Sequence, residues 1–175
     1  LDARFNDIFW PMLKLEFEAR QRWGDDYAVP GKDGVHPGWA GQVVMAYGFL
    51  EAMGLDGEIG TITLDLATGS AAVSNGHKLL TSNKSSVTIE SRRYPFCATG
   101  PIDDDNSIRS GMALVPFNEN LNRFTLKLDN ATDGNYEVTW GDQKREYTAD
   151  ALQSGVNLAA HFEINPFSDA FNAVD

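Results

Sequence analysis

Asp33 and His36 stand three residues apart in a stretch rich in glycine and proline, Gly31-Lys32-Asp33-Gly34-Val35-His36-Pro37-Gly38. Those residue types at that spacing suit acid–base chemistry. A tight turn brings a carboxylate onto the Nδ1–H of an imidazole, which fixes the tautomer and leaves Nε2 free as a general base. Pro37 holds His36 in extended backbone geometry, and Gly34 and Gly38 permit the turn. The same spacing also suits a helix-entry loop with an incidental histidine, and the pair by itself leaves both readings open. Trp39 follows the loop directly and is placed to border a substrate.

The remaining reactive side chains offer this base no nucleophile. Ser107 follows an acidic run, and Arg109-Ser110-Gly111 is not a nucleophile elbow. Cys97, in Tyr94-Pro95-Phe96-Cys97, reads as a small buried hydrophobe with nothing nearby to lower its pKa. It is the one cysteine, so no internal disulfide forms. His77 follows the turn residues Asn75-Gly76 and reads as a surface histidine. His161, between Leu158-Ala159-Ala160 and Phe162, reads as structural. The three histidines are scattered, with no pair at zinc-ligand spacing, so neither a metal nor another cofactor is expected. Trp10, Trp23 and Trp140 read as core.

Two helices must position the loop. Asp7-Ile8-Phe9 reads as a strand end, with Pro11 opening a helix that carries Met12, Leu13, Leu15, Phe17, Ala19 and Trp23 and stops at Gly24. After the loop, residues 39–53 form a second helix. Val43, Val44, Met45, Tyr47, Phe49, Leu50 and Met53 make it apolar on most faces, the pattern of a buried helix, and Gly54 ends it. The pattern then changes to alternation. Ile62, Leu64 and Leu66 share a face, as do Val87 and Ile89, then Phe124, Leu126 and Leu128, then Tyr136, Val138 and Trp140. With turn residues at Asp133-Gly134 and Gly141-Asp142, this predicts an antiparallel β unit with one polar face. Thr148 caps a helix over 149–154 that Gly155 stops. Asn165-Pro166 opens a last helix presenting Phe167, Ala170, Phe171 and Val174.

Charge narrows the partners. The net charge of −11 disfavours nucleic acid and anionic membrane surfaces, both of them polyanions. No apolar run is long enough to span a bilayer. The densest acidic run, Asp103-Asp104-Asp105, is expected in a solvated loop.

The string Asp33-Gly-Val-His-Pro-Gly-Trp-Ala-Gly-Gln-Val-Val-Met-Ala-Tyr47 resembles the last motif block of SGNH/GDSL-type hydrolases. It matches at Asp33, Gly34, His36, Pro37, Gly41, Met45 and Ala46, and its helix ends at Met53-Gly54. Many members of that family carry histidine where this chain has Gln42, a position outside the catalytic pair. The later stretches Pro116-Phe-Asn118, Leu121-Asn-Arg123, Val138-Thr-Trp-Gly141, Gly155-Val-Asn-Leu158 and Asn165-Pro-Phe-Ser168 are similar to bacterial SGNH-type proteins with an extra C-terminal β region.

The resemblance implies an α/β fold: the C-terminal portion of a three-layer α/β/α sandwich in residues 1–56, a β-rich accessory region in 57–148 and a C-terminal helical segment in 149–175. It implies a serine ester hydrolase in which His36 is the base and Asp33 its orienter, with a small-molecule or carbohydrate ester as substrate and an exported location. The family's Gly-Asp-Ser nucleophile block is absent. The chain opens Leu1-Asp2-Ala3-Arg4-Phe5, and the expectation is that it is cut from a longer polypeptide. The missing N-terminal half is then a partner, and this chain alone is inactive. A non-catalytic binding fragment using the β-rich region is the rival expectation, and acyl transfer would use the same residues.

Overall fold

The structure is a computed structural model that describes residues 5–173. It is an α/β protein that divides into two compact units. Among the described residues, one comprises 5–56 and 98–121, the other 57–97 and 122–173.

In the first unit, α1 (Phe9–Trp23) and α2 (Trp39–Ala52) flank the glycine-rich loop, followed later by α3 (Ile108–Leu114) and α4 (Phe117–Asn120). The expected strand end at Asp7-Ile8-Phe9 is not formed. Residues 5–8 are irregular and Phe9 already belongs to α1, where the Asp7 carboxylate accepts the Trp10 amide. Gly24, at φ 106°, stops α1 as expected. The core of this unit is small, consisting of Ala19, Tyr27, Val29, Ala40 and Val44 with Met12, Leu15, Trp23, Leu114 and Val115 packed around them. The second helix is less enclosed than its composition suggests. Only Ala40, Gly41 and Val44 are buried in it, while Phe49 and Met53 are exposed. α1 and α3 cover one side of it, and Val43, Met45, Tyr47 and Leu50 are half-buried, with the Tyr47 hydroxyl accepting from Asn120.

The second unit holds a mixed four-stranded sheet in the order β2-β1-β5-β8, built from β1 (Glu58–Asp65), β2 (Ala71–Val73), β5 (Arg123–Asp129) and β8 (Val156–Asn157). Two separate hairpins, β3 (His77–Asn83) with β4 (Ser86–Ser91) and β6 (Asn135–Trp140) with β7 (Gln143–Thr148), complete the strands. The expected antiparallel unit is therefore corrected. β1 pairs with β5 in parallel, Thr61 opposite Thr125 and Leu64 opposite Leu128. The residues around Asp133-Gly134 turn the chain without joining β5 to β6. Alternation assigns side chains to a face but does not choose the neighbouring strand.

The inward faces meet α5 (Ala149–Ser154) and α6 (Leu158–His161) in a core of Ile62, Leu64, Phe124, Leu128, Leu152, Val156, Leu158 and Phe162. Thr148 Oγ1 accepts the Ala151 amide and Gly155 ends α5 at φ 104°, as their types predict. The last helix, α7 (Ser168–Asn172), starts later than expected. Asn165 turns inward, its side chain accepting the Phe167 amide and donating to the Phe162 carbonyl, so Phe167 joins the aromatic core instead of a helical stripe. Val174 lies outside the described residues.

The chain passes from the first unit to the second after residue 56, where the sequence pattern changes, and shows no division at residue 148. Residues 98–121 pack with the first unit, and 149–173 complete the β core. Among the described residues, no helix is long and apolar enough to cross a membrane.

Candidate active site

The loop between α1 and α2 is polar in composition, yet Tyr27, Ala28 and Val29 are buried. α1 supplies the anchor. Glu16, on the inner face of the helix, accepts the Val29 amide at 2.6 Å and pairs with Arg20 at 2.6 Å, while Arg20 Nε donates to the Tyr27 carbonyl at 3.2 Å. Trp23 lies against Tyr27 with ring centroids 4.8 Å apart. Burial pushes the Tyr27 phenol up, so it keeps its proton and donates to Ser110 Oγ at 2.6 Å. Ser110 in turn donates to the Ile102 carbonyl.

Beyond this anchor the chain folds tightly on itself. Gly31, at φ 85°, lies under the backbone of His36. A Cβ at position 31 would stand 2.0 Å from the His36 carbonyl oxygen, so no side chain fits there. Gly41 does the same for the first turn of α2, where a Cβ would meet the Val29 carbonyl oxygen at 2.0 Å.

This turn brings Asp33 and His36 together. Asp33 Oδ2 lies 2.7 Å from His36 Nδ1, while Oδ1 accepts the amides of His36 at 2.9 Å and Val35 at 3.0 Å. A carboxylate partner fixes the proton on Nδ1. The His36 ring bond, then the His36 and Val35 amides, hold the Asp33 carboxyl well below the usual carboxylate range. The bond from Asp33, then its charge, raises the His36 pKa. The imidazole is 85% exposed, so Nε2 is open to solvent. The arrangement provides an oriented base on a surface. Trp39, at the first position of α2, is 56% exposed beside this loop.

Within this unit, among the described residues, no hydroxyl or thiol hydrogen-bonds to the His36 ring, whose partner is Asp33. Ser107 Oγ accepts the Ser110 amide and caps α3, and Ser110 is fully buried. Cys97 belongs to the other unit, where burial pushes its thiol up and Asn165 contacts the sulfur. His77 is corrected from a surface residue to a partly buried tie. Its Nε2 donates to the Ile59 carbonyl, and Nδ1 accepts from the Ser91 hydroxyl, both at 2.9 Å. His161 stacks on Tyr147 and bonds to its hydroxyl. Among the described residues no group of three His, Cys, Asp or Glu could hold a metal ion.

An open cleft of about 430 Å³ in the same unit is lined by Trp23, Asp26, Tyr27, Lys32, Pro101 and Asp103 to Asp105. Neither His36 nor Trp39 lines it. The acidic run is not the free loop its charge suggests. Asp103 and Asp104 are exposed, but Asp105 is half-buried and its carboxylate accepts the Ala28 amide. The sequence does not announce the part played by Glu16, nor the close approaches of Gly31 and Gly41 or the tie made by Asp105. One signal was available for Glu16, a charged residue set among Met12, Leu15 and Ala19 on the inward stripe.

No family model matches the chain. No curated protein matches it either. A solved structure described as "BT4096 a gut microbial diltiazem-metabolizing enzyme" is similar to it with a TM-score of 0.72 and 24% sequence identity. The match covers 94% of this chain and 39% of that one, so the chain spans about two fifths of that protein's length. This likeness supports the α/β fold.

Proposed function

We propose that the chain supplies the His–Asp pair of an SGNH-type serine ester hydrolase whose nucleophile lies on a segment outside this sequence. The observation that carries the proposal is the Asp33 carboxylate held by two backbone amides and set 2.7 Å from His36 Nδ1, with the ring open to solvent. In this reading a serine attacks the ester carbonyl while His36 Nε2 takes its proton. The imidazolium then gives that proton to the leaving alcohol, and water repeats the cycle on the acyl-enzyme. Asp33 stabilises the imidazolium without itself being protonated. An O-acetylated carbohydrate is the substrate class we favour, with Trp39 at its edge. The structurally similar protein is described as metabolising diltiazem, an ester-containing drug, which is in keeping with an ester substrate.

The exposed apolar surface of the first unit supports a missing partner. Phe9, Leu13 and Phe17 follow one another at four-residue steps along α1 beside Trp10, and each of the four is about half exposed or more. Residues four apart share a helix face, and contiguous apolar faces mark docking sites. The N-terminal half of the hydrolase domain is the partner we assign to this face. The rival reading, a binding module using the strands, required outward aromatics. Phe124, Tyr136, Trp140 and Tyr147 instead pack in or against the core of their unit.

The test is turnover of a short-chain aryl ester. This chain alone is expected to show none. The longer polypeptide carrying the nucleophile is expected to be active, and His36→Ala there to lower kcat by about 10³-fold or more. Robust turnover by the isolated chain, resistant to serine-directed inhibitors, overturns the proposal.

A further inference from the structure

Asp105 touches both ends of the Asp33–His36 loop, although it lies far along the chain from it. Its carboxylate oxygen Oδ2 accepts the Ala28 amide at 3.0 Å, where the loop leaves its buried anchor. Its own carbonyl accepts the Ala40 amide at 3.1 Å, in the first turn of α2. That amide is one of the helix-terminal donors that have no partner inside the helix. Between them, Gly38 lies against the same carbonyl, so that a Cβ at position 38 would stand 2.7 Å from the Asp105 oxygen. Asp105 therefore ties residue 28 to residue 40, beside the close packing of Gly41 on the Val29 carbonyl, and residues 33 and 36 lie on the span between.

Asp105 is itself held. The Asp104 side chain accepts the Asn106 amide, and the Asp104 carbonyl accepts the Ser107 amide at 3.0 Å. Ser107 caps α3, and Ser110 of that helix ties the Ile102 carbonyl to the Tyr27 hydroxyl. All these residues belong to one compact unit.

We infer that Asp105 is the positioning residue of the catalytic loop, setting where His36 stands while leaving its pairing with Asp33 unchanged. The inference rests on the proposed catalytic role of His36. The division of labour follows from how each feature is closed. The Asp33–His36 pair closes within four residues, through bonds of Asp33 to two amides and one ring. Nothing in that turn refers to the rest of the molecule. Aiming Nε2 at a nucleophile on another segment requires the whole turn to be fixed in space, and Asp105 does that from outside the loop.

Three variants in the longer, active polypeptide test this by steady-state ester hydrolysis across pH. Asp105→Ala removes the Ala28 tie and is expected to lower kcat on the order of 10–100-fold, the scale on which misplaced catalytic groups act. KM and the kinetic pKa of His36 should stay as in the parent. Asp105→Asn keeps an oxygen for the Ala28 amide and should retain most of the activity. Gly38→Ala, at an unstrained φ of −67°, drives a Cβ into the Asp105 carbonyl and should reproduce the kcat loss by a separate route. Parent-like kcat in both Asp105→Ala and Gly38→Ala, while His36→Ala is inactive, overturns the positioning role alone. Full activity of His36→Ala overturns the catalytic reading itself. Should Asp105→Ala fail to fold, Asp105→Asn against Gly38→Ala decides, since equal kcat in those two refutes the inference. Hydrogen exchange on the 175-residue chain is independent of catalysis. Asp105→Ala must speed exchange at the Ala28 amide, and unchanged protection there also counts against the tie.

Discussion

Replacing Glu16 by alanine removes the anchor from which the Asp33–His36 loop departs, and its cost can be worked from the structure. Glu16 is 9% exposed and accepts the amide of Val29, a residue with no exposed surface. In Glu16→Ala that amide has lost its acceptor where water does not reach. A hydrogen bond to a charged group contributes about 1.5–3 kcal/mol net, and stranding its buried donor accounts for much of the loss. The pairing with Arg20 adds less, because the Arg20 side chain is 47% exposed and regains water when its partner goes. Screened pairs of that kind are worth about 0.2–1 kcal/mol.

The two terms share one carboxylate and are not independent, so the expected destabilisation is about 2–3 kcal/mol. Urea unfolding followed by tryptophan fluorescence reads it, with the transition of the first unit moving down by about 1 M or more at the slopes common for small domains. Trp23, packed on Tyr27, places a reporter inside the affected core. Glu16→Gln keeps an amide oxygen for Val29 and should lose about half as much or less. A Glu16→Ala protein within about 0.5 kcal/mol of the parent, the range of ordinary surface substitutions, refutes the account of the anchor.

The pair itself predicts a pH signature. Asp33→Asn should return the His36 pKa toward its ordinary value of 6.5, read by NMR titration of the imidazole, and an unchanged titration would show that the 2.7 Å contact does not persist in solution. In the parent, the lowered Asp33 pKa contributes stability above its ordinary 3.8 that is lost as pH falls through the folded value. The raised His36 pKa contributes below 6.5 and is lost as pH rises through its folded value, so both contributions are present together between those limits. On α1, changing Phe9, Leu13 and Phe17 together to serine should reduce self-association of the isolated chain in sedimentation without lowering its unfolding midpoint. A fall in that midpoint would mean that these residues pack inward, contrary to their exposure.

Features closed by near neighbours were legible in the sequence. Asp33 reaches His36 within one turn. Thr148 and Gly155 bracket α5, Gly24 stops α1, and alternation marks Ile62, Leu64, Phe124 and Leu128 as facing inward. In each case the donor, acceptor or periodicity lies within a few residues, and residue type alone specifies it. What the fold decided is what closes over distance. Thr61 meets Thr125 in a parallel pair, where a run of alternating segments suggested antiparallel neighbours. Asn165, legible as a helix cap, is drawn inward to bond the Phe162 carbonyl. Asp105, one of three consecutive acids, becomes the tie across the loop because its carboxylate and carbonyl meet the amides of Ala28 and Ala40. Burial of one face can be satisfied by many partners, and a one-dimensional pattern carries no term for which of them packs best. The Asp33–His36 pairing was therefore readable from its own segment, while the place where that pair stands depends on residues 98–121, which only the folded chain brings to it.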